Sequence, residues 1–272
     1  ELLRNADSAM YYSKQLGRNT YSYFTDEMNL KASKRLAIEE QIHGALDRGE
    51  FSVYYQPKVA VNSGQIIGAE ALLRWSNPAL GSVSPEEFIP ISEQTGLIVN
   101  LGKFVLSEAL TQAAQWQKNY DSHFNIAVNI SPRQFRDPDL INNIGQALTQ
   151  SGVSSELLEL EITEGVLMSG HGYIDEALEV LNKLGVSIAM DDFGTGYSSL
   201  SYLRTYPFDV LKIDRSFIND ISIDSADREL INAAIAMAHG LNLKVVAEGV
   251  ETKQQLAYLK ELHCDFAQGY FF

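Results

Sequence analysis

Short apolar runs in this 272-residue chain keep ending on a carboxylate, an amide or a lysine. In order these are Glu70 in GAEALLRW, Asn129 in IAVNIS, Glu161 and Glu164 in LLELEITE, Asp191 and Asp192 in SIAMDDFGTG, Lys212 in VLKID, and Glu248 and Glu251 in VVAEGVE. Strands laid side by side would deliver all of these ends to one place. Oxygen ligands gathered that way suit Mg²⁺ or Mn²⁺, and such ions suit phosphate substrates.

The order of the runs fits that picture. Strand-like segments fall near 51–56, 65–72, 125–130, 157–162, 186–191, 209–213, 243–248 and 264–271. Helical patterns lie between most of them, at 85–95, 97–118, 138–150, 173–184, 198–204, 226–240 and 252–262. Strands alternating with helices indicate βα units and a mainly parallel sheet. Eight strands predict a closed α/β barrel of the (β/α)₈ TIM type, although a doubly wound open sheet satisfies the same alternation. The first two strands are joined by a hairpin-length link containing Asn62 and Gly64, too short for a parallel crossover, so one strand runs antiparallel.

Residues 1–24 read as a helix ending near Gly17, followed by an alternating TYSYF segment fit for an edge strand. That is too short for a domain and looks like the end of an upstream one. Residues 25–34 read as a polar linker, and 35–272 as the barrel, which opens on a helix running to about Arg48.

Composition narrows the function. A formal charge of −14 argues against DNA or RNA as partner. Carboxylates also repel a phosphate ligand, so an acidic site and an anionic substrate are compatible only through metal. No apolar stretch approaches a membrane span, and the polar first twenty residues do not form a secretory leader. The single Cys264 excludes an internal disulfide and fits a reducing compartment, with packing as its expected role.

The adjacent Asp191 and Asp192 can share one site only if their strand breaks, which Gly194 and Gly196 permit. A solvated turn is the bland alternative. Lys212 beside carboxylates could offset charge in a transition state or simply form a structural ion pair. Arg74 offers a fork for phosphate, and Gln56 and Gln268 offer amides for base edges. The five histidines lack zinc-ligand spacing, and no glycine-rich phosphate loop is present.

From about residue 30 onward the ordered pieces YYQP, EALLRW, NISP, ELEITE, DDFGTGYSSL, LKID, AEGVE and QGYFF resemble the EAL domain, a bacterial cyclic di-GMP phosphodiesterase. The first segment, ADSAMYYSKQLGRNTYSYF, is similar to the end of a GGDEF diguanylate cyclase domain. The resemblance implies two Mg²⁺ or Mn²⁺ ions held by Glu70, Asn129, Glu161, Asp191, Asp192 and Glu248. It places Lys212 near the attacking water, gives Glu251 and Gln268 active-site positions, and assigns ligand contacts to Gln56, Leu73, Arg74 and Asp214. Glu164 would steady the loop DDFGTGYSSL, which takes part in homodimer contacts.

The activity implied by the resemblance is hydrolysis of cyclic di-GMP to linear pGpG. It would proceed in the cytoplasm, in a parent protein with upstream GGDEF and sensor domains that an inner-membrane anchor could hold. The rival readings are a receptor that binds cyclic di-GMP without cutting it, and a pure interaction module.

Overall fold

In a computed structural model of the chain, the described residues are 5, 6, 9, 10, 13, 19–120, 123–168, 172–194, 200–219, 221 and 226–272. Among them one sheet holds β1 (Phe51–Ala60), β2 (Ile66–Asn77), β3 (Gly81–Val83), β4 (Asn125–Asn129), β5 (Leu158–Thr163), β6 (Ser187–Phe193), β7 (Val210–Ile213), β8 (Lys244–Ala247) and β9 (Phe266–Ala267). The order β1-β9-β8-β7-β6-β5-β4-β2, closed by a β1–β2 pairing, makes an eight-stranded barrel, with β3 added on β2. Strands β2 and β4 through β9 pair in parallel. β1 runs antiparallel to β9 and enters β2 through a tight turn, where the Gln65 carbonyl accepts from Ala60 N–H at 2.9 Å. This is the reversed strand that the short link predicts.

The strands form where the sequence is apolar without interruption. All four residues of β7 are buried, as are the first five of β5. Continuous burial is the mark of parallel strands covered on both faces. Helices supply the outer cover. Ile98–Asn119 buries Leu101, Val105, Leu106, Ala109, Leu110 and Ala113, the spacing of one helical stripe. Local signals set the helix ends. Gly152 takes φ 74 and donates its N–H to Leu148 O at the end of Leu140–Ser151. Thr252 and Gln255 form a reciprocal cap at the start of Lys253–Glu261.

Compactness divides the chain into Glu1–Ser52 with Arg74–Leu97, and Val53–Leu73 with Ile98–Phe272. The first unit has its own core. Phe51 stacks on Trp75 at 5.6 Å, and Phe88 meets both edge-on. Glu50 accepts from Trp75 Nε1 and Asn77 Nδ2, each at 2.9 Å.

Several expectations need correction. The stretch 25–34 is no linker, because helix Asp26–Ile42 begins inside it and Ile38 and Ile42 anchor that helix in the core. That helix stops before Arg48, where Gly44 turns at φ 71. Residues 5, 6, 9, 10 and 13 are helical as expected, but TYSYF forms no strand, and Tyr21 and Tyr23 stand exposed. β9 covers two residues where eight were predicted. Past Ala267 the chain bonds to Val250 instead, whose N–H donates to Gln268 O at 3.0 Å. A Cβ on Gly269 would lie 2.1 Å from Val250 O, so only glycine fits that crossing.

Candidate active site

The parallel strands bring the polar ends to the same end of the barrel. Register places Asn129 beside Glu161, and Thr163 beside Asp191. At the centre stands Lys212, 1% exposed, within ion-pair distance of four carboxylates. Its Nζ lies 2.7 Å from Glu161 Oε2, 2.8 Å from Glu248 Oε1, 3.2 Å from Asp191 Oδ1 and 3.4 Å from Glu70 Oε2. Amides hold Glu70 from both sides. Asn129 Nδ2 donates to Oε1 at 2.7 Å and Gln268 Nε2 to Oε2 at 2.6 Å. Gln268 Nε2 also lies 2.9 Å from Gln56 Oε1, which brings β1 into the network.

Adjacent aspartates share this place through backbone geometry. Asp192 adopts φ 56, a left-handed conformation that Asp tolerates better than most residues. The β6–β7 register shifts between Met190 and Phe193, and Asp191 Oδ1 accepts the Asp192 N–H at 2.9 Å. The break required by the sequence is therefore made at Asp192 itself. One oxygen each from Asp191, Asp192 and Glu248 lies within 4.8 Å of the others, close enough to hold a metal ion.

Burial and crowding set the charges. Burial works to raise the Glu70 carboxyl, but Lys212 and the two amides outweigh it and hold the pKa at about 2. Burial and the Glu70 charge push Glu161 well above its ordinary value. Glu248 rises to about 7, with burial the main cause, and Asp192 also rises, from burial and the Asp191 charge. Burial pulls Lys212 downward, yet the surrounding carboxylates drive it well above the usual lysine value. The same carboxylates hold it as an ammonium.

Oxygens wait without partners. Glu161 Oε1 and Gln268 Oε1 are buried and accept no hydrogen bond. Leaving a buried acceptor unpaired is costly, so each such atom asks for an explanation. With all five acids deprotonated, as bound cations would make them, five carboxylates around one ammonium carry four net negative charges, which two divalent cations would balance. Hard oxygen donors, an orphaned carboxylate oxygen and that charge all fit such ions.

The remaining predicted residues are placed less centrally. Asp214 is half-buried at the end of β7, where its Oδ1 accepts Ser216 N–H at 3.0 Å and its charge acts on Asp192. Glu251 is exposed, and its backbone N–H is held by Gln255 Oε1. Leu73 is buried on β2 with parity opposite to Glu70, whereas Arg74 is half-buried and shares Glu70's parity. Glu164 is buried at the start of helix Glu164–Met168, but residues 195–199 of the loop DDFGTGYSSL that it would steady lie outside the described residues. Lys58 and Glu159, a buried ion pair at 2.5 Å, were missed from the sequence. Their signal was parity, since each lies two residues from a predicted site residue on its own strand.

Fold and site together define a class: an α/β barrel whose strand ends gather carboxylates able to hold a metal ion. Residues 39–272 match the EAL domain model, and the chain belongs to the EAL domain family. Over 270 residues it is 44% identical to the bifunctional diguanylate cyclase/cyclic di-GMP phosphodiesterase MucR of Pseudomonas aeruginosa, covering 99% of this chain and 39% of that protein. It is 43% identical over 272 residues to the cyclic di-GMP phosphodiesterase NbdA of the same species, covering 100% of this chain and 35% of NbdA. The solved c-di-GMP complex of the PaMucR phosphodiesterase superposes with a TM-score of 0.82 at 43% identity, covering 86% of this chain and 95% of that one. The chain thus spans well under half the length of these two curated relatives. Among the described residues, no helix is long and apolar enough to cross a membrane.

Proposed function

We propose that this chain hydrolyses cyclic di-GMP to linear pGpG with two Mg²⁺ or Mn²⁺ ions. The carrying observation is the set of carboxylates around Lys212, with Asp191, Asp192 and Glu248 oxygens inside 4.8 Å and Glu161 Oε1 left unpartnered. Glu70, Asn129, Glu161, Asp191, Asp192 and Glu248 would hold the ions. When bound, the ions would supply an activated water and neutralise the phosphate.

The chain's own residues supply the rest. Gln268 and Asn129 fix both oxygens of Glu70, so its charge stays where a cation needs it. Lys212 keeps a permanent positive charge at the centre of the mouth, suited to offset charge gathered on the phosphate as water adds and the P–O bond breaks. Gln56, Leu73, Arg74 and Asp214 are the proposed nucleotide contacts, with Glu251 and Glu164 in supporting roles.

The greater length of MucR and NbdA, and the diguanylate cyclase in MucR's name, support a longer parent protein with a GGDEF domain. Upstream sensor domains, a homodimer and a cytoplasmic location complete the proposal. The test of hydrolysis is incubation of the purified chain with cyclic di-GMP and Mg²⁺, with and without EDTA. Linear dinucleotide is expected only when metal is free. Nucleotide that is bound but stays intact in Mg²⁺ would replace the enzyme with a receptor.

A further inference from the structure

Beneath the mouth lies a second charged tier that the proposed reaction does not use. Lys58 on β1 and Glu159 on β5 are 1% and 3% exposed, and Lys58 Nζ lies 2.5 Å from Glu159 Oε1. Around the barrel, β1 and β5 are separated by β2 and β4, so the contact crosses the interior. Each partner also has a neighbour of equal parity in the site. Glu159 precedes Glu161 by two residues, roughly 6–7 Å lower on the same face of β5. Lys58 follows Gln56 by two residues on β1, and Gln56 meets Gln268, which in turn holds Glu70.

We propose that the Lys58–Glu159 pair is a strut through the barrel that positions Glu161, making both partners positioning residues of the metal site; this rests on the metal-dependent reading above. Stability alone does not explain the pair. A buried ion pair loses so much hydration that apolar residues of equal volume serve the fold as well or better. A strut, by contrast, needs both charges and a fixed length. It ties the strand bearing Glu161 to the strand bearing Gln56, and so sets the spacing between the Glu161 and Glu70 sides of the mouth. It also neutralises Glu159, which would otherwise crowd Glu161 from below.

Two variants test the strut. Glu159→Asp keeps both charges and shortens the link by one methylene. Lys58→Met combined with Glu159→Met removes both charges, leaves no buried polar group unpaired and nearly keeps the volumes. The readouts are Tm without metal, Mn²⁺ affinity by titration calorimetry, and turnover of cyclic di-GMP at limiting and saturating Mn²⁺. Mn²⁺ affinity is expected to fall about tenfold or more in both variants, as for other residues that orient metal ligands. The double variant should keep its Tm, and turnover should partly recover when Mn²⁺ saturates. Unchanged Mn²⁺ affinity in either folded variant overturns the proposal, even if Tm drops, because a merely structural pair predicts that result. If the double variant fails to fold, Glu159→Asp decides alone. Wild-type protein that binds Mn²⁺ yet leaves cyclic di-GMP intact sinks the hydrolase reading, and the affinity comparison still judges the strut.

Discussion

Lys212 is held by opposing forces of very different size. Burial alone would strip its proton, yet the facing carboxylates raise its pKa well above the ordinary value. Removing it leaves Glu70, Glu161, Asp191 and Glu248 crowded without a counter-charge. Breaking a buried pair this way costs about 3–5 kcal/mol. Lys212→Met should therefore lower Tm sharply in EDTA and recover much of it in Mg²⁺, since cations then neutralise the same acids. Turnover should stay depressed at saturating metal and nucleotide, because the ammonium matters most in the transition state. Single-turnover rates at saturation test this, and a loss confined to nucleotide affinity would refute it. Glu50 gives a separate pH test in the first unit. The hydrogen bond from Arg48 is the main cause holding its carboxyl at about 2, against an ordinary 4.5, with Trp75 and Asn77 assisting. A depressed folded pKa stabilises above the unfolded value, and that stability drains away as pH falls from about 4.5 toward 2. Glu50→Gln should lower Tm near neutrality and flatten its decline across that acid window. An unchanged acid slope would count against the assignment.

At the level of elements, the end of β6 is the sensitive piece. Asp192 at φ 56 and Gly194 at φ 99 bracket Phe193, the residue that resumes pairing with Ile213. A Cβ on Gly194 would lie 2.4 Å from the Phe217 ring, in a backbone region that side chains already disfavour. Gly194→Ala should shift Asp191 and Asp192 and weaken Mn²⁺ binding by roughly 10–100-fold, the range found when the support of metal ligands is removed. Global Tm should change little, since the strain sits at one strand end. Mn²⁺ titration against Tm separates the outcomes, and wild-type affinity would show that the bulge tolerates a side chain. The same element shows what a sequence can disclose. Burial on both faces made β4 through β8 visible as apolar runs, and their polar terminal residues marked the site. Asp191 and Asp192 announced a break, but only the structure shows that it begins at Asp192, ahead of Gly194. Only the second half of helix Asp26–Ile42 was legible, because its first turns are polar and its buried residues, Ile38 and Ile42, both lie in that half. β9 was overdrawn because LHCDFAQGYFF alternates like a strand while Gly269 turns it against Val250. Lys58 and Glu159 escaped notice because two opposite charges far apart in sequence carry no local sign of meeting.

For the whole molecule, the question is where its negative charge resides. The formal charge is −14, and part of it is concentrated among the buried acids around Lys212. Exposed charges are screened by any salt, with a Debye length near about 8 Å at physiological ionic strength, whereas buried ones are screened far less. Sodium chloride should therefore change Tm only modestly. Mg²⁺ at the same ionic strength should raise it much more, because an ion that binds only the folded state stabilises by mass action, about 2.7 kcal/mol at one hundred times its Kd. Ca²⁺ should also raise Tm, since its ligands are oxygens too. It should fail to support hydrolysis, because it takes longer bonds and more ligands than Mg²⁺ or Mn²⁺. The Glu161→Gln variant provides the internal control. It removes one candidate ligand, and the charge that ligand would offer a bound cation, while keeping the side chain's shape, so the Mg²⁺-specific rise in Tm should shrink while the sodium chloride response stays as in wild type. Equal Tm shifts from Mg²⁺ and sodium chloride at matched ionic strength would mean that the acids act as a diffuse surface charge, and the two-ion site would have to be abandoned.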